Sequence, residues 1–244
     1  MIDYSFTWQD LRRVAGRCMR PGGTTLTQSA LDICNLPDGS FVADIGCGTG
    51  GTLEYLGRSG VYNLVGVDLS DEMLLEALPH TILGQLIRGR AETLPFRNRS
   101  LDALFCECVL SIIDDKPGAV RESARVLKDG GYLVLSDVFD SGLTGENSDP
   151  VGTPATRGFL SKKHLLTILS QFGFSPLLWE EHEQFLREFV ARMILAGECL
   201  TGLRCGQERR QRKEGERLKM SYFLLVARKS TAFPSVASKG GAAL

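Results

Sequence analysis

An apolar run that ends in a carboxylate and breaks into alternating glycines constrains this chain more than any other feature. It lies at Phe41 to Gly51, Phe-Val-Ala-Asp-Ile-Gly-Cys-Gly-Thr-Gly-Gly. The apolar residues read as a buried strand, and Thr52 to Leu56 as the start of a helix. Between them, Gly46, Gly48 and Gly50 can take positive φ and let a ligand approach the backbone closely. A nucleoside-bearing cofactor at the carboxyl end of a parallel strand is the expected occupant of such a turn.

The same design recurs downstream. Tyr62 to Asp68 is a second apolar run ending in an acid, and Ser70 or Asp71 then caps a helix carrying Met73, Leu74, Leu75 and Leu78. Gln85 to Arg88, Leu101 to Cys106 and Tyr132 to Asp137 read as further strands. Pro117 sits in the first turn of a helix that Asp129-Gly130-Gly131 stops. Ser161 to Phe172 is predicted as a helix, and Phe174 to Trp179 and Tyr222 to Ala227 as the last two strands. Alternation at this spacing predicts parallel strands joined by crossovers, hence a doubly wound α/β sheet.

Two short helices should precede the first strand, divided at Pro21-Gly22-Gly23, with Thr24, Thr25 or Thr27 capping the second. Glu181 to Leu200 is helical with a broad apolar face that includes Phe185, Phe189 and Met193. The expected organisation is one domain over residues 1–229, with a helical cap at 1–40, a helical insert at 180–219 and a flexible tail at 230–244.

Composition narrows the partners. Lys and Arg number 28 against 29 Asp and Glu, so there is no net field to attract polyanions. The basic run from Arg209 to Lys213 is flanked by Glu208, Glu214 and Glu216 and reads as a solvated face. Seven scattered cysteines fit a reducing compartment. The amino terminus lacks a secretory pattern, and no apolar run approaches the roughly 20 residues of a membrane span. The expectation is a soluble, cytoplasmic protein that binds neither nucleic acid nor membrane, its oligomeric state open.

The glycines alone fit two spacings, since Gly46, Gly48 and Gly51 match a dinucleotide fingerprint as well. Asp44 favours a cationic ligand group over a pyrophosphate, which it would repel. Two helices precede the first strand, and no Tyr is followed four residues later by a Lys, as the catalytic pair of short-chain dehydrogenases requires.

Val42-Ala43-Asp44-Ile45-Gly46-Cys47-Gly48-Thr49-Gly50 resembles the signature of class I S-adenosylmethionine-dependent methyltransferases. Val65 to Ser70, the loop Ala91 to Phe96 with Leu101-Asp102, Val126 to Gly131, and Tyr222 to Lys229 are similar to successive segments of the ubiquinone-biosynthesis-like, type 11 branch. The resemblance implies a Rossmann-like, seven-stranded sheet with an antiparallel last strand, S-adenosyl-L-methionine as cofactor and a small-molecule acceptor.

Position by position, the resemblance implies that Gly46, Cys47, Gly48 and Gly50 bring backbone to the cofactor. Asp44 orients the methionyl end and Asp68 binds the ribose diol. Leu69 and Met73 flank the adenine, with a core role for Met73 equally open, and Ala91 and Glu92 meet the adenine edge. The family often has Asp where this chain has Arg90, which cannot accept a hydrogen bond. Adenine selection then rests on backbone groups, on Glu92 or on stacking against Arg90.

Methyl transfer from a sulfonium is an in-line displacement that needs alignment and exclusion of water more than a base. The resemblance places Cys106, Glu107, Cys108, Leu110 and Ser111 near the reaction. The histidines the branch often carries around Ser111 and Ile112 are absent. Glu107 is the candidate catalytic acid or base, or else a carboxylate that merely bonds cofactor or neighbouring backbone. Two alternatives stay open. Cys106, Cys108, Cys199 and Cys205 could serve a metalloid or thiol methyltransferase, although no Cys-x-x-Cys spacing is present and no metal is expected. A cofactor-binding partner protein without turnover is the other. Arg20, in the Pro-Gly-Gly-x-x-Leu-Thr segment, could meet the methionine carboxylate.

Overall fold

The computed structural model describes residues 12–13, 15–60, 62–81, 84–142, 161–196 and 219–231. Seven strands form one sheet: β1 (Phe41–Ile45), β2 (Asn63–Asp68), β3 (Gly84–Arg88), β4 (Leu101–Glu107), β5 (Leu127–Asp140), β6 (Phe174–Glu181) and β7 (Met220–Lys229). Their order is β3-β2-β1-β4-β5-β7-β6, with β7 antiparallel to both neighbours and the pairs from β3 to β5 parallel. The order reverses between β1 and β4, and the crevice at their carboxyl ends is where a doubly wound sheet binds its ligand.

Both faces of the sheet are covered, which is why β1 and β4 read as continuous apolar runs. On one face Ala43, Ile45, Leu104 and Cys106 pack with Val120 of α4 (Lys116–Val126) and Leu165 of α5 (Lys162–Gln171). On the other, Val42, Ala103 and Phe105 pack with Leu26 of α1 (Thr25–Cys34) and Leu53 of α2 (Gly51–Ser59). A short α3 (Asp71–Ala77) follows β2, its first turn capped by Ser70, whose hydroxyl accepts from the Met73 amide at 3.3 Å. Asp115 and Ser161 cap α4 and α5 in the same way.

Several details differ from or add to those expected of the sequence. β5 begins at Leu127, five residues before Tyr132, because Asp129-Gly130-Gly131 forms a bulge, with Gly130 at φ 80° and the pairing with β4 shifting between Leu101 and Ala103. Thr24 occupies the cap position of α1 without a side-chain bond, and Thr27 reaches inward instead. The insert helix α6 (Glu183–Leu195) is shorter than the run to Leu200, whose last residues, with Cys199, Cys205 and the basic run, lie outside the described residues, as does the tail beyond Thr231.

Leu104 is fully buried at the centre of the sheet. Leu104→Ala should lower unfolding free energy by about 2–5 kcal/mol in a denaturant titration, the range for truncating a core leucine. A loss under 1 kcal/mol would mean this face is not the packed core.

Candidate functional site

The glycine turn is held by β2. The Gly46 and Cys47 amides both donate to the Val67 carbonyl, at 2.7 and 3.1 Å. Asp68, at the end of β2, accepts from the Gly48 amide at 2.8 Å and from the Ser70 amide at 2.9 Å. A Cβ on Gly46, which sits at φ 70°, would fall 2.2 Å from a Val109 methyl. Gly46 is therefore needed for close packing as well as for its backbone angle.

Beside this turn opens a cleft of about 430 Å³. Most of the residues assigned to the cofactor line it: Asp44, Gly46, Cys47 and Gly48 from the turn, Asp68, Leu69 and Met73 from the second strand and its helix, and Arg90, Ala91 and Glu92 from the loop after β3. Met73 is both lining and 7% exposed, so its core and cofactor roles coexist. Leu69 stands out into the mouth at 53% exposure. Arg90 donates to Glu92 at 3.2 Å, so the two side chains proposed for adenine selection engage each other.

Two assigned residues fall elsewhere. Cys106 is a core residue, because alternation along β4 turns it to the face of Leu104 and away from that of Phe105. Gly50 caps α2 at φ 80° and backs onto Ala77 and Thr81. Cys106 and Cys108 thus diverge, since Cys108 lines the cleft with its Sγ 3.1 Å from the Tyr222 hydroxyl. Among the described residues no group of three or more His, Cys, Asp or Glu is placed to hold a metal.

Glu107 does line the cleft, but its carboxylate is committed. Arg20 Nη2 lies 2.8 Å from Oε2, the Thr52 hydroxyl donates to Oε2 at 2.8 Å, and the Thr27 hydroxyl donates to Oε1 at 3.1 Å. Arg20 also donates to Thr27 at 2.7 Å. Burial opposes the Arg20 cation, yet the Glu107 carboxylate and nearby acidic groups raise its pKa above the usual arginine value. Glu107 stands here as one half of an ion pair with two further hydroxyl donors.

Asp44 has the opposite surroundings. It is 2% exposed, and its Oδ2 has no hydrogen-bond partner. Burial, then the Glu107 charge, hold its carboxyl well above the ordinary aspartate range, with Arg20 opposing and Asp68 adding to the rise. A buried, unpaired acceptor in a cleft is the feature expected of a group that meets a ligand cation. Asp44 and the glycine cradle therefore fit the amino group and nucleoside of S-adenosylmethionine.

Arg17 and Thr52 line the cleft without having been singled out in the sequence, and Met19, in the segment from Cys18 to Thr25 that reads as a cover of the core, lines it too. Gly51 carried the overlooked signal, for a Cβ there would lie 2.8 Å from Cys18 Sγ and 2.9 Å from the Arg17 carbonyl. Its missing side chain admits the amino-terminal segment onto the turn. Arg17 pairs with Glu54 and leaves a buried Nη1 without a partner, as Arg20 leaves its Nε. No described residue of α6 lines the cleft. Its Phe189 and Met193 instead pack on Ala15 and Met19 and so support the cap from outside.

Residues 43–135 match the type 11 family model described as a methyltransferase domain. That segment, less than half of the chain, is what resembles a methyltransferase. Similar proteins include a phosphoethanolamine N-methyltransferase of Triticum aestivum, 32% identical over 121 residues that make up 48% of this chain and 24% of that protein. An uncharacterized protein of Methanocaldococcus jannaschii is 40% identical over 108 residues, 43% of this chain and 40% of that protein. The chain thus spans only about a quarter of the wheat relative it matches. Among solved structures, the [4+2]-cyclase SpnF superposes with a TM-score of 0.70 at 23% identity over 91% of this chain and 92% of that one. Haemonchus contortus phosphoethanolamine N-methyltransferase 2 in complex with S-adenosyl-L-methionine superposes with a TM-score of 0.70 at 20% identity, over 91% and 56% of the two chains. Both likenesses concern the fold.

The raised pKa of Asp44 has a signed consequence. The free folded protein keeps this proton to a higher pH than the unfolded chain, so the group favours folding at acid pH and loses that contribution as pH rises through its raised value. A cation against Asp44 favours the ionised form. Binding of S-adenosylhomocysteine, which carries the same amino group, should release a proton, visible by calorimetry as a dependence on buffer ionisation enthalpy, and affinity should fall as pH is lowered. Asp44→Asn should abolish the release. Buffer-independent heats in the wild-type protein would contradict this role.

Proposed function

We propose that this chain transfers a methyl group from S-adenosylmethionine to a small-molecule acceptor by direct in-line displacement. The observation that carries the reading is the pairing, in one cleft, of a buried Asp44 oxygen without a partner and an Asp68 carboxylate at the neighbouring strand end. Bound there, the cofactor supplies an electrophilic methyl on a sulfonium. Asp44 would hold the amino group, Asp68 the ribose hydroxyls, and Gly48 would give the nucleoside room, since a Cβ there meets nothing nearer than Met19 Cε at 3.5 Å. The free Arg17 Nη1 and Arg20 Nε hydrogens suit a carboxylate. Val109, Ile112 and Ile113 give the cleft an apolar wall that keeps water from the reacting atoms.

Because Glu107 is held by Arg20 and two threonines, no proton is routed through it, and rate enhancement rests on placement. The cleft, at about 430 Å³, has the size of a small-molecule site. The acceptor named for the plant relatives is not carried over on a quarter of their length. A cytoplasmic setting is supported by five described cysteines that are all free thiols. No described helix is long and apolar enough to cross a membrane. A single domain over residues 1–229, with 1–40 as cap, fits the packing of Arg17 and Cys18 on the glycine turn.

Incubation with methyl-labelled S-adenosylmethionine and a panel of amine, hydroxyl, thiol and carbon acceptors should label at least one small molecule. Asp68→Ala should weaken S-adenosylhomocysteine binding by about 1.5–3 kcal/mol, the worth of hydrogen bonds to a charged group. Tight binding of a nicotinamide dinucleotide, with none of S-adenosylhomocysteine, would overturn the proposal.

A further inference from the structure

Two sequence features are not used by methyl transfer itself: the segment Arg20-Pro-Gly-Gly-Thr-Thr-Leu-Thr27 and the Cys106-Glu107-Cys108 exit from β4. The structure joins them. Arg20 and Thr27 both bond Glu107, across sequence separations of 87 and 80 residues for the pair and the hydroxyl contact. Thr52, in the first turn of α2, bonds the same carboxylate. Arg20 and Glu107 have side chains only 7% and 1% exposed.

A buried pair of this kind contributes little net stability against apolar residues of equal volume, but removing one partner strands the other charge. Its worth lies in geometry. The segment before Arg20 lies on the glycine turn, with the Arg17 carbonyl accepting from the Thr49 hydroxyl at 3.3 Å. Arg17, Met19 and Arg20 all line the cleft. Gly22 lies so close to Phe185 that a Cβ would approach its ring to 2.9 Å. The segment is therefore pressed from outside by α6 and tied from inside at one point.

We propose that Glu107 is a positioning residue that clamps the amino-terminal segment over the cofactor cleft through Arg20 and Thr27, so that closure of the cap and cofactor affinity are coupled. The inference deepens the proposed function, because the ligand whose affinity it governs is the one that reading assigns. The clamp holds Arg17, Met19 and Arg20 in the lining of the cleft, with the unpartnered Arg17 Nη1 and Arg20 Nε hydrogens among them. Loss of the Glu107 charge frees Arg20 to leave with its segment.

Hydrogen–deuterium exchange on the full chain, with and without S-adenosylhomocysteine, tests this. In the wild-type protein, amides of residues 15–27 should exchange slowly and slow further with ligand. In Glu107→Gln the same amides should exchange at least on the order of tenfold faster without ligand, while those of β1, β4 and β5 stay protected. Calorimetry should show an affinity loss of the same order, within the usual range of coupling between sites. Thr27→Val removes both of its side-chain contacts without stranding a charge and should give a smaller change in the same amides, which keeps the test open should Glu107→Gln fail to fold. Faster exchange in 15–27 of Glu107→Gln, with no S-adenosylhomocysteine binding by the wild-type protein, would uphold the tie between Glu107 and the segment but overturn its coupling to the cofactor and the cofactor reading with it. Wild-type exchange in 15–27 and unchanged affinity in a folded Glu107→Gln or Thr27→Val protein would overturn the clamp.

Discussion

The ligand-binding edge depends on one carboxylate bonded to backbone. Asp68 accepts from the amides of Gly48 and Ser70, while the neighbouring Val67 carbonyl takes those of Gly46 and Cys47. Three of these bonds fix the glycine turn to the end of β2, and the fourth, from Ser70, steadies the Asp68 carboxylate. They let the backbone bend at positive φ at Gly46 and Gly48 without leaving its amides unsatisfied. The entrance to α2, and with it the position of Thr52, follows from that turn.

Three acids meet near the carboxyl ends of β1, β2 and β4, and each is accommodated differently. Asp68 is half-buried and bonded to amides. Glu107 is buried against a cation and two hydroxyls. Asp44 leaves its Oδ2 without a partner, and burial raises its pKa. Carboxylates gathered in a low dielectric repel one another, and the arrangement eases that by pairing Glu107 with Arg20 while burial and the Glu107 charge push the Asp44 carboxyl upward. The acid left unsatisfied is the one best able to respond to an arriving cation.

The fold was legible because its signals are local and periodic. Apolar runs ending in Asp44 and Asp68, the Ser70 cap and the alternation of strands and helices all follow from short-range physics, and seven strands stand where they were expected. The extent of β5 was not legible, since Asp129-Gly130-Gly131 reads as a helix stop and a bulge equally well. The cofactor side of the cleft was readable from the glycines and the two aspartates. Cys106 was misplaced by nearness in sequence to Glu107, although strand alternation separates them. The partner of Glu107 was not legible, because nothing local ties Arg20 to a residue 87 positions away. Only packing brings Pro21-Gly22-Gly23 and the end of β4 together.

A crystal structure of the chain with S-adenosylhomocysteine tests the central claim most directly. The ribose hydroxyls should lie within hydrogen-bond distance of Asp68 and the amino group at the Asp44 carboxylate, with the Arg20–Glu107 pair intact beneath the closed segment. A nucleoside lying outside the cleft, or Asp44 still without a partner in the complex, would contradict it.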